Sequence, residues 1–223
     1  MILFSCAAVA PLLASAFPEA SVCTLPPDRR LATPVSTHAD MLVFTYEDTA
    51  IMEEAYAKAH DRQGEYRLIT SKIPRGERYP DDIGLNALVV GDRVFCNAAH
   101  TAREILGCGK EIVDVRQGYA ACSALVLSDS CIVTADPSIA RAAERKNVDV
   151  VQIRPGYIRL PGYDSGFIGG ATARVGEVVC FFGDPIAHPD FPGIEAACSH
   201  LGLRICVLGD GVLTDHGGVR ILE

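Results

Sequence analysis

The chain has 223 residues, a length that suits one or two domains, and one domain suffices if the fold is a closed ring or barrel. Its formal net charge of −8 argues against a nucleic-acid-binding protein, which would need a basic face. Beyond the N-terminal segment no apolar run approaches the length of a membrane span, so we expect no membrane partner either.

The chain contains nine cysteines. They show no CxxC or Cys/His spacing typical of zinc sites, and most of them lie inside apolar runs, as small buried residues do. We therefore expect a reduced, cytoplasmic protein that needs no metal and no cofactor.

The N-terminal segment MILFSCAAVAPLLASAF ends in small residues, as a secretory leader does. However, no Lys or Arg precedes the apolar run, and Pro11 interrupts it. We predict instead a core strand, Ile2 to Val9, a helix, Pro11 to Phe17, and a second strand, Ala20 to Leu25. A cleaved leader remains the alternative.

Five apolar runs along the chain begin in the same way, with one to three polar or glycine residues. They are HADMLVF from His38, LNALVV from Leu85, ACSALVL from Ala121, YDSGFIGG from Tyr163 and DHGGVRIL from Asp215. Such internal similarity predicts a repeat architecture.

The run at Ala121 shows the complete unit. Cys122 and Ser123 precede a strand, Ala124 to Leu127, and a short turn leads to a second strand, Cys131 to Thr134. Pro137 then opens a helix that extends to Lys146, and a third strand follows at Val148 to Ile153.

The other starts are followed by similar elements. After the run at His38 we predict a helix at Thr49 to Ala59 and a strand at Tyr66 to Thr70. After the run at Leu85 we predict a strand at Arg93 to Asn97, a helix at Ala99 to Leu106 and a strand at Glu111 to Val115. After the run at Tyr163 we predict strands around Ile168 and at Val178 to Phe182, a helix at Gly193 to His200 and a strand at Leu203 to Leu208.

The run at Asp215 reaches the C-terminus without the rest of a unit, and the N-terminal strand, helix and strand supply the missing parts. The sequence therefore predicts one domain, residues 1–223, made of five ββαβ units that close through pairing of the N- and C-terminal strands. The alternative is an ordinary α/β sandwich whose strands are similar by accident.

Six motifs, STHADM, YPDDIGLN, VRQGYAACS, IVTAD, PGYDSGFIGGA and LTDHGG, together resemble an uncharacterised bacterial family placed near the penteins. Penteins are the α/β propellers of guanidine-modifying enzymes. The resemblance implies that fold and a chemistry based on a Cys nucleophile, a His and acidic residues that hold a guanidinium group. In those enzymes the Cys lies in the last unit, but this chain has no Cys after Cys206, so catalytic residues cannot be transferred one for one.

In such a ring, the leading residues of the first strands converge on the central channel. These residues are His38, Asp40, Asn86, Cys122, Ser123, Asp164, Ser165, Asp215 and His216. They predict a polar pocket, because buried polar groups need partners. Alternatively, they are solvent-facing turns in which Asp and Asn cap backbone groups. The glycines of GFIGGA lack nucleotide-binding spacing and predict close backbone approach near the axis.

Among these leading residues, Cys122 is the candidate nucleophile, with His38 or His216 as its catalytic partner, although an inert cysteine is the simpler interpretation. If the strand begins at His38, then His38 and Asp40 share a face. Asp40, Asn86, Asp164 and Asp215 are the candidate substrate-binding residues, because carboxylates bind guanidinium groups through paired hydrogen bonds.

Three functions fit these features. The first is an enzyme acting on a small guanidino or related C–N compound through Cys122. The second is a binding protein that has the pocket without the nucleophile. The third is an interaction module, like the ribosome-associated factor that shares the fold, although the negative charge disfavours an RNA-rich partner. The sequence indicates no particular oligomeric state.

Overall fold

The computed structural model describes residues 1–60 and 66–222. Within these residues fifteen strands form five three-stranded sheets. The strands are β1 (Ile2–Ser5), β2 (Ser21–Thr24), β3 (Val43–Tyr46), β4 (Thr49–Glu53), β5 (Arg67–Ser71), β6 (Leu88–Val90), β7 (Arg93–Cys96), β8 (Glu111–Asp114), β9 (Ala124–Ser128), β10 (Cys131–Thr134), β11 (Asp149–Gln152), β12 (Thr172–Val175), β13 (Val178–Asp184), β14 (Arg204–Val212) and β15 (Arg220–Leu222).

Seven α-helices accompany the strands in the described residues, together with a short 3-10 helix at Thr33–Val35. The α-helices are α1 (Ala10–Ala16), α2 (Ala39–Leu42), α3 (Glu54–His60), α4 (Arg103–Leu106), α5 (Ala120–Ser123), α6 (Pro137–Arg145) and α7 (Phe191–His200). Helices α1, α3, α4, α6 and α7 connect parallel strands, whereas α2 and α5 are single turns that precede β3 and β9.

Each sheet follows the same rule. Its first strand is antiparallel to the second, and the second is parallel to the third, with a helix between them. We number these units in chain order: unit I is β15-β1-β2, unit II is β3-β4-β5, unit III is β6-β7-β8, unit IV is β9-β10-β11 and unit V is β12-β13-β14. The prediction of five ββαβ units is confirmed.

Unit I joins the two ends of the chain. Ile2 pairs with Leu222, Leu3 with Ile221 and Phe4 with Arg220, in antiparallel register. The predicted pairing of the terminal strands is therefore confirmed. The five sheets themselves stay separate and open, and the first strands of neighbouring units lie side by side, β15 against β3 and β9 against β6 and β12.

The core of the described chain consists of five apolar clusters, and each cluster lies between two neighbouring units. The middle strands contribute to two clusters at once. In β13, Val179 and Phe181 pack towards unit IV, while Cys180 and Phe182 pack towards unit I. Because successive side chains of a strand point to opposite faces, a strand buried on both faces has a continuous apolar sequence.

Three predicted elements are wrong in detail. Thr49 to Ala59 is not one helix, because Thr49–Glu53 forms β4, pairs with β3 and β5 and is buried throughout, and only Glu54–His60 is helical. Ile168 lies in a turn, and the strand begins at Thr172. The helix predicted at Ala99 to Leu106 is reduced to α4.

The start of one first strand also differs from the prediction. His38 is the N-cap of α2, and β3 begins only at Val43. The prediction that His38 and Asp40 share a strand face is therefore wrong. Cys122 and Ser123 form the end of α5, and β9 begins at Ala124 as predicted. The described helices are all too short, or too polar, to cross a bilayer.

Candidate functional site

The segments that precede the first strands meet at the axis of the ring, where backbone hydrogen bonds join units II, I, V and IV. The Asp40 N–H donates to the Gly217 carbonyl over 3.2 Å. The N–H groups of His216 and Gly218 both donate to the Gly170 carbonyl over 2.9 Å, and the Gly170 N–H donates to the Cys122 carbonyl over 3.1 Å.

Asn86 completes this circle from unit III. Its Oδ1 accepts hydrogen bonds from the N–H groups of Ala121 (2.8 Å) and Cys122 (3.3 Å), and its Nδ2 lies 3.2 Å from Met41 Sδ. All five units are thus tied together at one point, which fixes the side chains around it.

Glycines allow this close approach. A Cβ at Gly170 would lie 1.9 Å from Asp215 Oδ1, and one at Gly217 would lie 2.3 Å from His38 Cβ. A Cβ at Gly169 would lie 2.3 Å from the Ala121 carbonyl oxygen. The prediction that the GFIGGA glycines permit close backbone contact is confirmed.

Five of the seven predicted site residues lie together at this point, and we call them the axial cluster: His38, Asp40, Asn86, Cys122 and Asp215. All five are buried, with at most 4% of the residue exposed. His216 is half-buried and adjoins the cluster, since its charge would act on His38. Asp164 is exposed and does not join the cluster.

Asp40 is the least satisfied member of the axial cluster. Its residue is 0% exposed, and in the described part of the chain neither carboxylate oxygen has a hydrogen-bond partner of normal geometry, although the Cys122 thiol interacts with the carboxylate closely enough to lower the Asp40 pKa slightly. Burial raises the pKa of Asp40 to about 7, which Arg220 opposes and the nearby Asp215 reinforces. Near neutral pH this carboxyl group is therefore poised between its neutral and charged forms.

Asp215, unlike Asp40, is stabilised by hydrogen bonds from backbone N–H groups. Its Oδ2 accepts a hydrogen bond from the Phe167 N–H and its Oδ1 one from the Gly217 N–H, both at 2.9 Å. Burial nevertheless raises the pKa of Asp215 to about 6. His38 Nδ1 lies 3.8 Å from Asp215 Oδ1, too far for a hydrogen bond, and burial followed by repulsion from His216 lowers the pKa of His38 to about 4.

Cys122 is held as a neutral thiol. Burial, and then the charges of Asp40 and Asp215, raise the pKa of Cys122 well above its usual value. Asn86 Nδ2 donates to Cys122 Sγ over 3.0 Å, a contact that opposes this shift. Among the described residues, no histidine hydrogen-bonds to Cys122, so the arrangement lacks a base for the thiol in this conformation.

Two aromatic rings lie close to the axial cluster. Tyr119 and Phe167 pack against the apolar cluster that includes Cys122, and their rings stack with centroids 6.3 Å apart. The Tyr119 hydroxyl donates to Asp82 Oδ2 over 2.6 Å, while the buried Asp82 Oδ1 has no partner in the described chain. Burial raises the pKa of Asp82 as well.

Asp164 lines a separate cavity of about 440 Å³ that includes Ser123, Ser165 and Phe167 in its wall. A larger cavity of about 520 Å³ is lined by residues of the first strands, among them Arg220, whose buried Nε has no hydrogen-bond partner in the described chain. No group of three His, Cys, Asp or Glu side chains in residues 1–60 and 66–222 is arranged to hold a metal ion.

Sequence reasoning missed Arg220, Asp82, Tyr119 and Phe167. A signal existed for Arg220, because it is a charged residue inside the apolar C-terminal strand VRIL. Nothing in the local pattern marks Asp82, which gains its role only through its contact with Tyr119, 37 residues away.

Comparison with known families and structures is consistent with this architecture. A model of a family of unknown function (DUF6873) matches residues 17–220. No curated protein matches the sequence.

Three solved structures share the fold. A cysteine-to-serine mutant of the Pseudomonas aeruginosa enzyme DDAH in complex with citrulline is 15% identical, with 93% of this chain and 91% of that chain covered and a TM-score of 0.52. The cyanobacterial arginine dihydrolase ArgZ is 10% identical, with 93% and 36% covered and a TM-score of 0.55. The amidinotransferase SxtG from Microseira wollei is 13% identical, with 91% and 75% covered and a TM-score of 0.51.

Proposed function

Because the chain belongs to this family of unknown function (DUF6873) and has the pentein fold, we propose that its axial cluster binds a small guanidinium or related amidinium cation. The observation that carries the proposal is Asp40, a fully buried carboxylate whose oxygens have no hydrogen-bond partner of normal geometry and no ion-pair partner within residues 1–60 and 66–222. Structural neighbours described as an arginine dihydrolase and an amidinotransferase add support from the fold.

A buried carboxylate without a partner is costly when charged, which is why its pKa is raised. A bound cation removes that cost, since charge-assisted hydrogen bonds to a planar guanidinium satisfy both oxygens at once. Asp215, which interacts electrostatically with Asp40, supplies a second carboxylate, and the rings of Tyr119 and Phe167 offer aromatic faces of the kind that attract cations.

Calorimetric titration with guanidinium at millimolar concentration tests the proposal. We expect saturable binding that Asp40→Asn weakens by at least about tenfold, because a charged contact becomes a neutral one. Asp210→Asn, at an exposed position on β14, is the matched control and should bind like the wild type. Absence of saturable binding to the wild type would refute the proposal.

A second candidate function is the cleavage of a C–N bond with Cys122 as nucleophile, and the Asn86–Cys122 hydrogen bond favours it. A cation bound by Asp40 would stabilise the Cys122 thiolate, as would the Asn86 amide. The thiol would give its proton to His38 or His216 on closer approach, the thiolate would form a bond to the guanidinium carbon, and the C–N bond would break as the departing amine takes that proton. Water would then hydrolyse the resulting thiouronium group, which releases a urea product and restores the Cys122 thiol.

Release of ammonia or amine from arginine, agmatine and alkylguanidines tests this candidate. Turnover should disappear in Cys122→Ala and persist in Cys131→Ala, which alters a buried cysteine of β10. Binding without turnover would leave the protein as a binding protein, whereas equal turnover in both variants would show that Cys122 is not the nucleophile.

We further propose that the protein resides in the cytoplasm. Six of the nine cysteines are buried thiols that form no disulfide in the described chain, as expected in a reducing compartment. Residues Ile2–Ser5 form the middle strand of unit I, so removal of the N-terminal segment would dismantle that sheet. Intact-mass measurement should find residues 1–16 retained apart from the initiator methionine, and cleavage after Ala16 would contradict the assignment.

A further inference from the structure

The cavity of about 520 Å³ occupies the central channel of the ring, and we call it the channel cavity. All five first strands, β3, β6, β9, β12 and β15, contribute to its wall. Ala121 and Gly169 also line it, and Ala121 donates its N–H to Asn86 of the axial cluster. The channel cavity therefore adjoins the axial cluster, and its volume lies within the range of roughly 300–1,000 Å³ that is typical of small-molecule sites.

The channel cavity has an inner end and a rim. Each first strand begins beside the axis and ends at the hairpin turn that leads to the second strand. The turn residues that line the rim are Glu47, Gly91, Asp129 and Gly176. Arg220 is the first residue of β15 and follows Gly218 by two positions, and the Gly218 N–H donates to the Gly170 carbonyl at the axis. Arg220 therefore lies at the inner end.

The cations near the rim already have partners. Lys110 Nζ donates to a backbone carbonyl over 3.3 Å and lies 3.7 Å from Glu47 Oε1. Arg174 Nε donates to the Gly176 carbonyl over 3.0 Å. Glu47 and Asp129 are exposed carboxylates. The two carboxylates and two cations that line this end balance in formal charge, so the positive charge of Arg220 is left over for the cavity as a whole.

Arg220 lacks an anionic partner. Its Nε is buried without a hydrogen-bond partner, and the residue belongs to none of the ion pairs found in residues 1–60 and 66–222. Its charge acts on Asp40, but the two side chains form no direct ion pair there. Because moving a charge out of water must be offset by new hydrogen bonds, a half-buried guanidinium in this position favours a ligand that accepts them.

We propose that the inner end of the channel cavity binds a small oxyanion, a carboxylate or phosphate group, through the Arg220 guanidinium. Guanidinium binds either group through paired, charge-assisted hydrogen bonds, and these bonds are stronger in a site shielded from bulk water. This inference does not rest on the proposed function of the axial cluster, because neither Arg220 nor the channel cavity requires that Asp40 bind a cation.

A second group of arginines provides the control. Arg116 and Arg141, both exposed, line a surface depression beside the start of α6. Exposed arginines attract anions only weakly, because solvent and salt screen their charge. A variant at Arg141 therefore distinguishes general attraction to surface arginines from binding in the channel cavity.

Calorimetric titration with inorganic phosphate and with acetate, at constant ionic strength, tests the proposal. We expect saturable binding of at least one of these anions to the wild type at millimolar concentration, weakened at least about tenfold by Arg220→Gln. Arg220→Lys keeps the charge without the planar guanidinium and should weaken binding only several-fold. Arg141→Gln should bind like the wild type.

Urea unfolding shows whether each variant is folded and gives a second readout. The anion that binds should raise the urea midpoint of the wild type and of Arg141→Gln more than that of Arg220→Gln, because a ligand specific for the folded state stabilises it. If Arg220→Gln does not fold, Arg220→Lys decides, and unchanged affinity in that variant would overturn the proposal.

The two anions also distinguish the sources of the oxyanion. Tighter binding of phosphate would support a phosphate-bearing ligand, and tighter binding of acetate a carboxylate. No saturable binding to the wild type, equal affinity in the wild type and Arg220→Gln, or loss of binding in Arg141→Gln instead, would refute the site.

Discussion

Two groups of buried carboxylates in this molecule have opposite pKa shifts. The first is the axial pair, Asp40 and Asp215, and the second is Asp28 with Glu53 near units I and II. All four residues are at most 8% exposed. Burial acts on each of them in the same direction, towards a higher pKa.

Asp28 and Glu53 differ from the axial pair because an arginine side chain donates hydrogen bonds to them. Arg30 donates to Asp28 from Nε (2.9 Å) and Nη2 (2.8 Å), and Nη2 also lies 2.6 Å from Glu53 Oε2. Arg75 Nε approaches Asp28 to 3.7 Å. Burial is the largest single influence and raises the pKa of Asp28 and Glu53, but the hydrogen bonds from Arg30, the backbone N–H groups that bind these carboxylates and the nearby arginine charges together outweigh it, so the net shift is downward.

Burial alone therefore does not identify a functional carboxylate, since all four groups are buried and their pKa shifts differ in sign. Asp28 and Glu53 are charged groups whose partners are part of the fold, and they are structural. Asp40 has no arginine bound to it in the part of the chain that the structure describes, and burial raises its pKa to about 7. An unpaired buried carboxylate is the group that an external cation can stabilise.

The largest effect is expected from Gly170→Ala. A new Cβ would lie 1.9 Å from Asp215 Oδ1, so Asp215 must move and the hydrogen bonds at the axis must be disrupted. We expect a loss of about 3 kcal/mol in the free energy of unfolding, measured by urea titration.

Gly193→Ala is the control for this change. Gly193 lies in α7, and a Cβ added there would have Val151 Cγ1 as its nearest neighbour, 3.9 Å away. This substitution should be neutral or slightly stabilising, because Ala favours a helix. Equal stability of the two variants would show that the axis is not tightly packed.

The next largest effect is expected from Arg30→Ala, which turns the paired carboxylates into unpaired ones. Because the Arg30 side chain is 40% exposed, solvent compensates part of the loss, and we expect about 1–3 kcal/mol of destabilisation near pH 7. The neighbouring Arg29, which is exposed, provides the control Arg29→Ala. If both variants unfold alike, then Arg30 does not stabilise the buried pair.

A smaller and pH-dependent effect is expected from Asp40→Asn. The pKa of Asp40 is raised from 3.8 to about 7 on folding, so its contribution to stability is fully present below pH 3.8 and is lost as the pH rises through about 7. The variant should therefore match the wild type near pH 4 and be more stable than it by about 1–3 kcal/mol near pH 8.

The contribution of His38 to stability depends on pH in the opposite sense, because burial lowers its pKa. His38 is present in both the wild type and Asp40→Asn, so the difference between the urea midpoints of these two proteins reports on Asp40. A stability difference that is constant from about pH 4 to pH 8 would mean that Asp40 does not titrate in this range.

The sequence predicted the fold well because the middle strands are buried on both faces. Runs such as CIVT in β10 and VVCFF in β13 are apolar without alternation, and turn residues separate them. The same property caused the error at Thr49–Glu53, since TAIME carries no strand periodicity and continues into a helical pattern.

The site was predicted less completely. The leading positions of the runs identified His38, Asp40, Asn86, Cys122 and Asp215, because equivalent positions of a repeat converge. Asp164 was assigned to the same place, but Asp215 and Phe167 occupy that part of the axis, and Asp164 faces the neighbouring cavity. Which carboxylates are paired depends on contacts between distant residues, such as Arg30 with Glu53, and no local pattern encodes them.

We propose that a bound guanidinium cation supplies the hydrogen-bond donors that the Asp40 carboxylate lacks in the described part of the chain. The most direct test of this claim is the number of protons exchanged on guanidinium binding, obtained from calorimetry near pH 7 in two buffers of different ionisation enthalpy. A cation lowers the pKa of Asp40 from about 7, so binding should release up to about one proton, and affinity should rise between about pH 5.5 and pH 8. Binding without proton release, or with the same release in Asp40→Asn, would contradict the claim.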